Sequence, residues 1–199
     1  MAAQRNEIKI LDQAVKESNS IGDVHRKFRR AFIVNCWHIN EGESDAMWRL
    51  YFKTNEGVAI QSSIKSLTSS LKDYGEEIYL SKVRYLNFEK DVWYHPEVYP
   101  VKNYNLFTPI IHKRNSFEHE NELRIFQQLD DAVDNERYWE GKQNQLGKFI
   151  PVDINTLIDK IILPPTSDSS VRKKVTELLE KYRLAKVIEK SKLDDEPYF

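Results

Sequence analysis

Short β-prone runs and short amphipathic helical runs follow one another along this chain, and neither period dominates. That alternation predicts an α+β fold: a central mixed β-sheet with helices packed around it, in a single domain. Residues 32–39 (FIVNCWHI) form an apolar, β-prone run and read as a buried strand. Residues 58–61, 119–128, 149–152, 160–163 and 187–188 read as further strands. Residues 78–86 also read as a strand, but the apolar alternation slips between Leu80 and Val83, which predicts a bulge or an end there.

The helical runs are equally short. Ile8, Leu11 and Val15 recur at helical spacing, and Asp23 is placed to cap a basic stretch running to Arg30. Ser44 precedes a run with Met47, Leu50 and Tyr51 on the expected buried stripe, stopped by Gly57. Ser62 or Ser63 is expected to cap a helix facing inward through Ile64, Leu67 and Leu71. Phe107, Ile110 and Ile111 predict a short helix ending near Arg114, and another is predicted around Thr156. The last helix is expected after Ser169 or Ser170, burying Val171, Val175, Leu178, Leu179 and Tyr182. Residues 87–105 and 130–147 read as loops. The expected organisation is a helical segment over 1–31, a core over 32–193 and a frayed tail over 194–199.

Composition limits the function classes. The 199 residues carry a net charge of −1, so no global basic field exists to hold nucleic acid. The single cysteine, Cys36, excludes an internal disulfide and a cysteine-rich zinc site. No window approaches the roughly twenty apolar residues of a membrane span, and the amino-terminal residues are polar, so a cytoplasmic location is expected. No glycine-rich phosphate loop and no paired-histidine metal motif is present.

The pattern richest in chemistry is Glu120-x-Glu122-x-Arg124. On a strand these three share one face, with Leu123 and Ile125 on the other. Two carboxylates about 7 Å apart along a strand can bind a cation or a ribose diol, and one can act as a base if its pKa rises. Arg124 can clamp a phosphate or carboxylate, and Lys113 stands close upstream. The structural alternative is a solvated sheet face with neighbouring ion pairs. Cys36 and His38 also share a strand face, but at roughly 7 Å they are too far apart for a nucleophile pair. A buried thiol beside a hydrogen-bonded histidine is the expectation for Cys36, while His38 is a candidate partner of Glu122. Trp48 lies beside the expected buried stripe and could stack on a ligand. Ser62 and Ser63 end a strand and are first of all helix caps.

Three stretches resemble the bacterial family called domain of unknown function 2971. They are NCWHINEGESDAMWRLYFKTNEGVAIQSS (35–63), KRNSFEHENELRIF (113–126) and VDINTLIDKIILPPTSDSSVRKKVTELLEKYRL (152–184) followed by VIEKSKL. The resemblance implies a fold and a surface rather than an activity. Members of that family usually carry more chain before the Cys-Trp segment, so the start of this chain is expected to be truncated or divergent. The order His38 (or Arg30), Ser62-Ser63, Glu120-x-Glu122 is also similar to that of ADP-ribosyltransferases around NAD. By that likeness Glu122 would hold the nicotinamide ribose and stabilise positive charge at its anomeric carbon, and Glu120 would orient the acceptor. The leading expectation is therefore an NAD- or nucleotide-directed transferase or glycohydrolase with NAD as substrate, serving as a defence effector. A metal-dependent nuclease with Glu120 and Glu122 as ligands and Lys113 as activator is one alternative. A non-enzymatic sensor or interaction module is the other.

Overall fold

A computed structural model describes residues 22–26, 28–52, 57–91, 107–129 and 147–196. The α+β class expected from the sequence holds, with the strands distributed over three small sheets instead of one central sheet. The chain divides into two compact units, Met1–Ile39 with Glu77–Lys148 and Asn40–Glu76 with Phe149–Phe199. The predicted opening helix, most of the loop predicted over 87–105 and nearly all of that over 130–147 lie outside the described residues. Among the described residues no helix is long and apolar enough to cross a membrane.

The first unit is built on a three-stranded antiparallel sheet. Its strands are β1 (Phe32–His38), β3 (Tyr79–Lys82) and β6 (Glu122–Gln128), in the order β1-β6-β3. Register sets Phe32 opposite Gln128, Cys36 opposite Arg124 and His38 opposite Glu122. On the other side of β6, Tyr79 faces Phe126 and Ser81 faces Arg124. Directly opposed residues share a face, so one face carries an apolar half and a polar half. The apolar half packs Phe32 and Phe126 with Phe28, Ala31 and Ile110, flanked by Tyr79 and Phe107. Phe107 meets Phe126 edge-on with centroids 5.2 Å apart, and Tyr79 stacks on Phe126 at 5.5 Å. Leu123 and Ile125 turn to the opposite face and are buried there.

The slip read between Leu80 and Val83 is a real change of partner. The chain leaves β3 at Lys82 and enters β4 (Arg84–Leu86), which pairs in parallel with β5 (His112–Arg114). Val83 is buried between the two strands, and its amide donates to the Glu122 carbonyl at 2.9 Å. The short helix expected from Phe107, Ile110 and Ile111 is present as Thr108–Ile111, but it stops short of the expected end near Arg114 because His112–Arg114 extends as β5.

The second unit carries β2 (Ala59–Gln61), β7 (Lys160–Leu163) and β8 (Val187–Lys190) in the order β2-β7-β8. Ile158, Ile161 and Leu179 form its buried centre, with Val58, Val175 and Ile188 packed around them. Ser44 caps the helix Asp45–Tyr51 and Ser63 caps Ile64–Ser70, each accepting from a backbone amide of the first turn. The long helix Ser169–Lys181 is capped by Asp168, whose carboxylate accepts from the Ser170 and Val171 amides, and not by Ser169 or Ser170.

Several expectations about faces and strands need correction. Trp48 is the buried residue of Asp45–Tyr51, while Leu50 and Tyr51 are exposed. Leu67 is buried and Ile64 exposed; Val171 and Leu179 are buried, whereas Leu178 and Tyr182 are exposed. Residues 149–152 are not a strand: Pro151 has no amide to donate to a ladder, and Phe149 points to solvent. The strand predicted over 119–128 starts only at Glu122. Before it, Asn115–Glu120 winds as a 3-10 turn, and Asn121 follows with φ 37° in the left-handed region.

Candidate functional site

The polar half of the β1-β6-β3 face holds a cluster of four charged side chains from three elements. Glu122 and Arg124 come from β6 and share a face, as period-two alternation requires. Glu120 comes from the 3-10 turn, so strand alternation does not place it. The left-handed Asn121 reverses the chain locally and carries Glu120 back to the same cluster. Asparagine is among the few non-glycine residues that tolerate this conformation. Its side chain is used as well: Asn121 Nδ2 donates to the Ile39 carbonyl at 2.6 Å, and the Ile39 amide donates to the Asn121 carbonyl at 2.9 Å. The two residues thus continue the β1-β6 pairing past its end.

Lys113 on β5 joins the acids. Its Nζ donates to Glu120 Oε2 and to Glu122 Oε1, both at 2.7 Å, and lies 4.6 Å from the centre of the Phe117 ring. Arg124 Nε donates to Glu122 Oε2 at 2.8 Å and Nη2 to Oε1 at 3.2 Å, a two-pronged grip on one carboxylate. Arg124 Nη1 donates to the Ile110 carbonyl. The Glu122 amide donates to the Tyr85 hydroxyl at 2.9 Å. Side-chain exposure is 6% for Glu122, 15% for Arg124, 13% for Glu120 and 24% for Lys113, so Glu122 is the enclosed centre and Lys113 the more open edge.

This enclosure fixes protonation. Burial alone would push the Glu122 carboxyl up, but hydrogen bonds from Arg124, Lys113 and Cys36 outweigh it and hold the group at about 2. Burial pulls the Lys113 ammonium down, and its bonds to Glu120 and Glu122 overcome that and raise it. Arg124 is raised by Glu122 in the same way. Glu122, Lys113 and Arg124 are therefore charged at neutral pH. A solvated sheet face of weak pairs is not what this chain builds.

Cys36 and His38 border the cluster on β1. Cys36 is exposed, contrary to the expected buried thiol. Partial burial and the Glu122 carboxylate both raise its thiol above the ordinary range, so it is protonated and a weak nucleophile. His38 Nδ1 donates to the Glu120 carbonyl at 2.6 Å, and its Nε2 is buried with no hydrogen-bond partner. Both Glu120 and Glu122 grip the Lys113 ammonium, so a metal shared between them would have to displace it. Among the described residues no group of three or more His, Cys, Asp or Glu side chains is arranged to hold a metal ion.

The structure thus brings together Lys113, Glu120, Glu122 and Arg124, with Cys36 and His38 beside them. Trp48, Ser62 and Ser63 belong to the second unit and have structural partners there. Trp48 Nε1 donates to Glu43 at 3.2 Å and its ring packs on Phe52 at 4.6 Å, so it is a core residue and not a stacking platform. Glu43 also accepts from the Lys192 amide at 2.8 Å. Ser62 donates to the Leu157 carbonyl at 2.6 Å, and Ser63 is a helix cap. Sequence reasoning missed Tyr85 and Asn121. The first gives no local signal, because it depends on the β4-β5 pairing. The second stands between two glutamates as one of the few residue types suited to a left-handed turn.

Fold and site together define an α+β protein with an enclosed, self-neutralised four-charge cluster at one end of an antiparallel sheet. The family model described as Protein of unknown function (DUF2971) matches residues 47–125, which supports membership of that family and agrees with the resemblance read from the sequence. The matched stretch includes Lys113, Glu120, Glu122 and Arg124, whereas Cys36 and His38 precede it. Among curated proteins and among solved structures nothing matches this chain.

Proposed function

We propose that this protein is an NAD- or nucleotide-directed transferase or glycohydrolase in which Glu122 acts as a fixed anion. The observation that carries this reading is the state of Glu122: 6% exposed, yet held ionised at about 2 by Arg124 and Lys113. A carboxylate pinned in that state is a poor general base at neutral pH. It suits stabilisation of positive charge that develops in a transition state. Release of nicotinamide from NAD develops such a charge. The bond between the anomeric carbon and the ring nitrogen breaks, and its electron pair leaves with nicotinamide. Water or an acceptor hydroxyl then bonds to the carbon and gives its proton to solvent. Lys113, at the more open edge of the cluster, and Glu120, which it grips, would contact ligand and acceptor. A cytoplasmic location, where NAD is available, is part of the same reading, and the free thiol Cys36 accords with it.

The test is release of nicotinamide from NAD incubated with the protein. Wild-type turnover that Glu122→Gln abolishes supports the reading, and NAD left intact at high protein concentration overturns it. The mutual pairing of the four charges favours a second reading, a non-enzymatic sensor or interaction module whose cluster is a structural lock. In that case Glu120→Ala changes partner binding and no small molecule is consumed.

A further inference from the structure

The β4-β5 ladder has two faces, and the charged cluster uses one of them. Tyr85 and Lys113 stand opposite each other in the register, and both reach Glu122. Alternation turns their flanking residues to the other side. There the register sets Arg84 beside His112 and Leu86 beside Arg114. Arg84 and Arg114 are exposed, and among the described residues no carboxylate forms an ion pair with either. Burial lowers the pKa of the His112 imidazole. The Thr108 carbonyl, which accepts from its Nδ1, opposes this, and the Arg84 guanidinium lowers it further, with no acid acting against them. Just past β4, Phe88 lies against Arg114, whose guanidinium carbon is 5.1 Å from the ring centre. Phe88 is 54% exposed, so most of a large apolar ring is left in water. In the same turn the Asp91 carboxylate accepts from the Asn87 amide at 2.7 Å, and Glu89 and Lys90 are exposed and of opposite sign.

We propose that this outer face of the ladder binds single-stranded nucleic acid, with Arg84 and Arg114 each holding a phosphate and Phe88 stacking on a base. The two arginines sit one strand and two residues apart, roughly 8 Å between Cα atoms. Consecutive phosphates of an extended single strand can meet that spacing. The Phe88 contact covers one flat side of the Arg114 guanidinium and leaves its edge N–H groups to donate to phosphate oxygens. The ring decides the ligand class. An acidic peptide would use the charges and leave Phe88 in water, whereas every base carries a π-face to stack on it. A duplex keeps its bases stacked on one another and offers the ring no such face. The ladder is short, so the footprint is about two or three nucleotides. This surface is independent of the reading of the cluster, because Tyr85 and Lys113 turn away from it.

Fluorescence anisotropy tests the proposal, with a labelled oligouridylate of about ten nucleotides titrated with the full chain. Binding should weaken with salt, and log K should fall against log salt with a slope of roughly −1 to −2 for two phosphate contacts. Arg84→Gln combined with Arg114→Gln is expected to lower affinity by about tenfold or more and to bring the slope toward zero. Phe88→Ala is expected to lower affinity by roughly tenfold at an unchanged slope, because it removes stacking and no charge. These side chains are exposed, and thermal melting by circular dichroism checks that the variants fold. An oligonucleotide left unbound at high protein concentration overturns the proposal. So does an affinity that the arginine or the phenylalanine substitutions leave unchanged, and so does equally tight binding of a duplex or of polyglutamate. Should a variant fail to fold, wild type decides through its salt slope and its preference for the single strand over those two competitors. None of these outcomes alters the nicotinamide-release test of the cluster.

Discussion

Glu122 makes a large contribution to the acid stability of this protein, beside the helix-capping Asp153 and Asp168, whose carboxyls are also held below the ordinary range by the hydrogen bonds they accept. The Glu122 carboxyl titrates at about 2 in the fold against an ordinary 4.5. A group with a depressed folded pKa stabilises the native state above its unfolded pKa, and that contribution is lost as pH falls toward the folded one. Stability is therefore expected to be level above about pH 5 and to fall by on the order of 3 kcal/mol between pH 4.5 and pH 2. Urea denaturation across that window measures it. Glu122→Gln should make this segment of the profile shallower and lower stability at pH 7 by about 3 kcal/mol, since it leaves two enclosed cations short of a partner. Asn121 offers a second residue-scale test. Its φ of 37° excludes β-branched side chains at low cost. Asn121→Gly keeps the backbone free but loses the bond to the Ile39 carbonyl, whereas Asn121→Val adds strain of about 1–2 kcal/mol. Thermal melting should rank wild type above glycine and glycine above valine.

At the scale of elements, caps and side-chain bridges set the geometry. Asp168→Ala removes the acceptor for two first-turn amides and should cost about 1 kcal/mol. Glu43 accepts from the buried Trp48 indole and from the Lys192 amide. Glu43→Ala should thus lower stability by about 1–2 kcal/mol and change tryptophan fluorescence, read by urea unfolding. Elements were legible in the sequence where local forces decide them. The apolar run at 32–38, the slip at Val83 and the serine caps all follow from side-chain period and backbone hydrogen bonding within a few residues. The site was legible in part. Glu122 and Arg124 follow from alternation, but Glu120 reaches Lys113 through a polar 3-10 turn that has no hydrophobic period to read. Long-range pairing was illegible. Nothing near Tyr85 or His112 announces a parallel β4-β5 ladder, and the buried Trp48 donates its indole N–H to Glu43, five residues back.

At the scale of the whole molecule, neither compact unit is a continuous piece of chain. The unit that holds the cluster takes β1 from residues before 40 and its remaining strands from residues after 76. A fragment spanning 77–148 lacks the seven-residue partner of β6 and should show no cooperative thermal transition by circular dichroism. A sharp melt of that fragment would contradict the description of β1 as integral to the sheet. The residues matched by the family model likewise draw on both units, 47–76 on one and 77–125 on the other. The cluster itself carries its own counterions. Mobile electrolyte screens charges that water reaches and acts far less on pairs shut away from it. Raising ionic strength should therefore erode open pairs such as Arg49–Asp45, at 80% and 57% exposure, while the grip of Arg124 on Glu122 persists into molar salt.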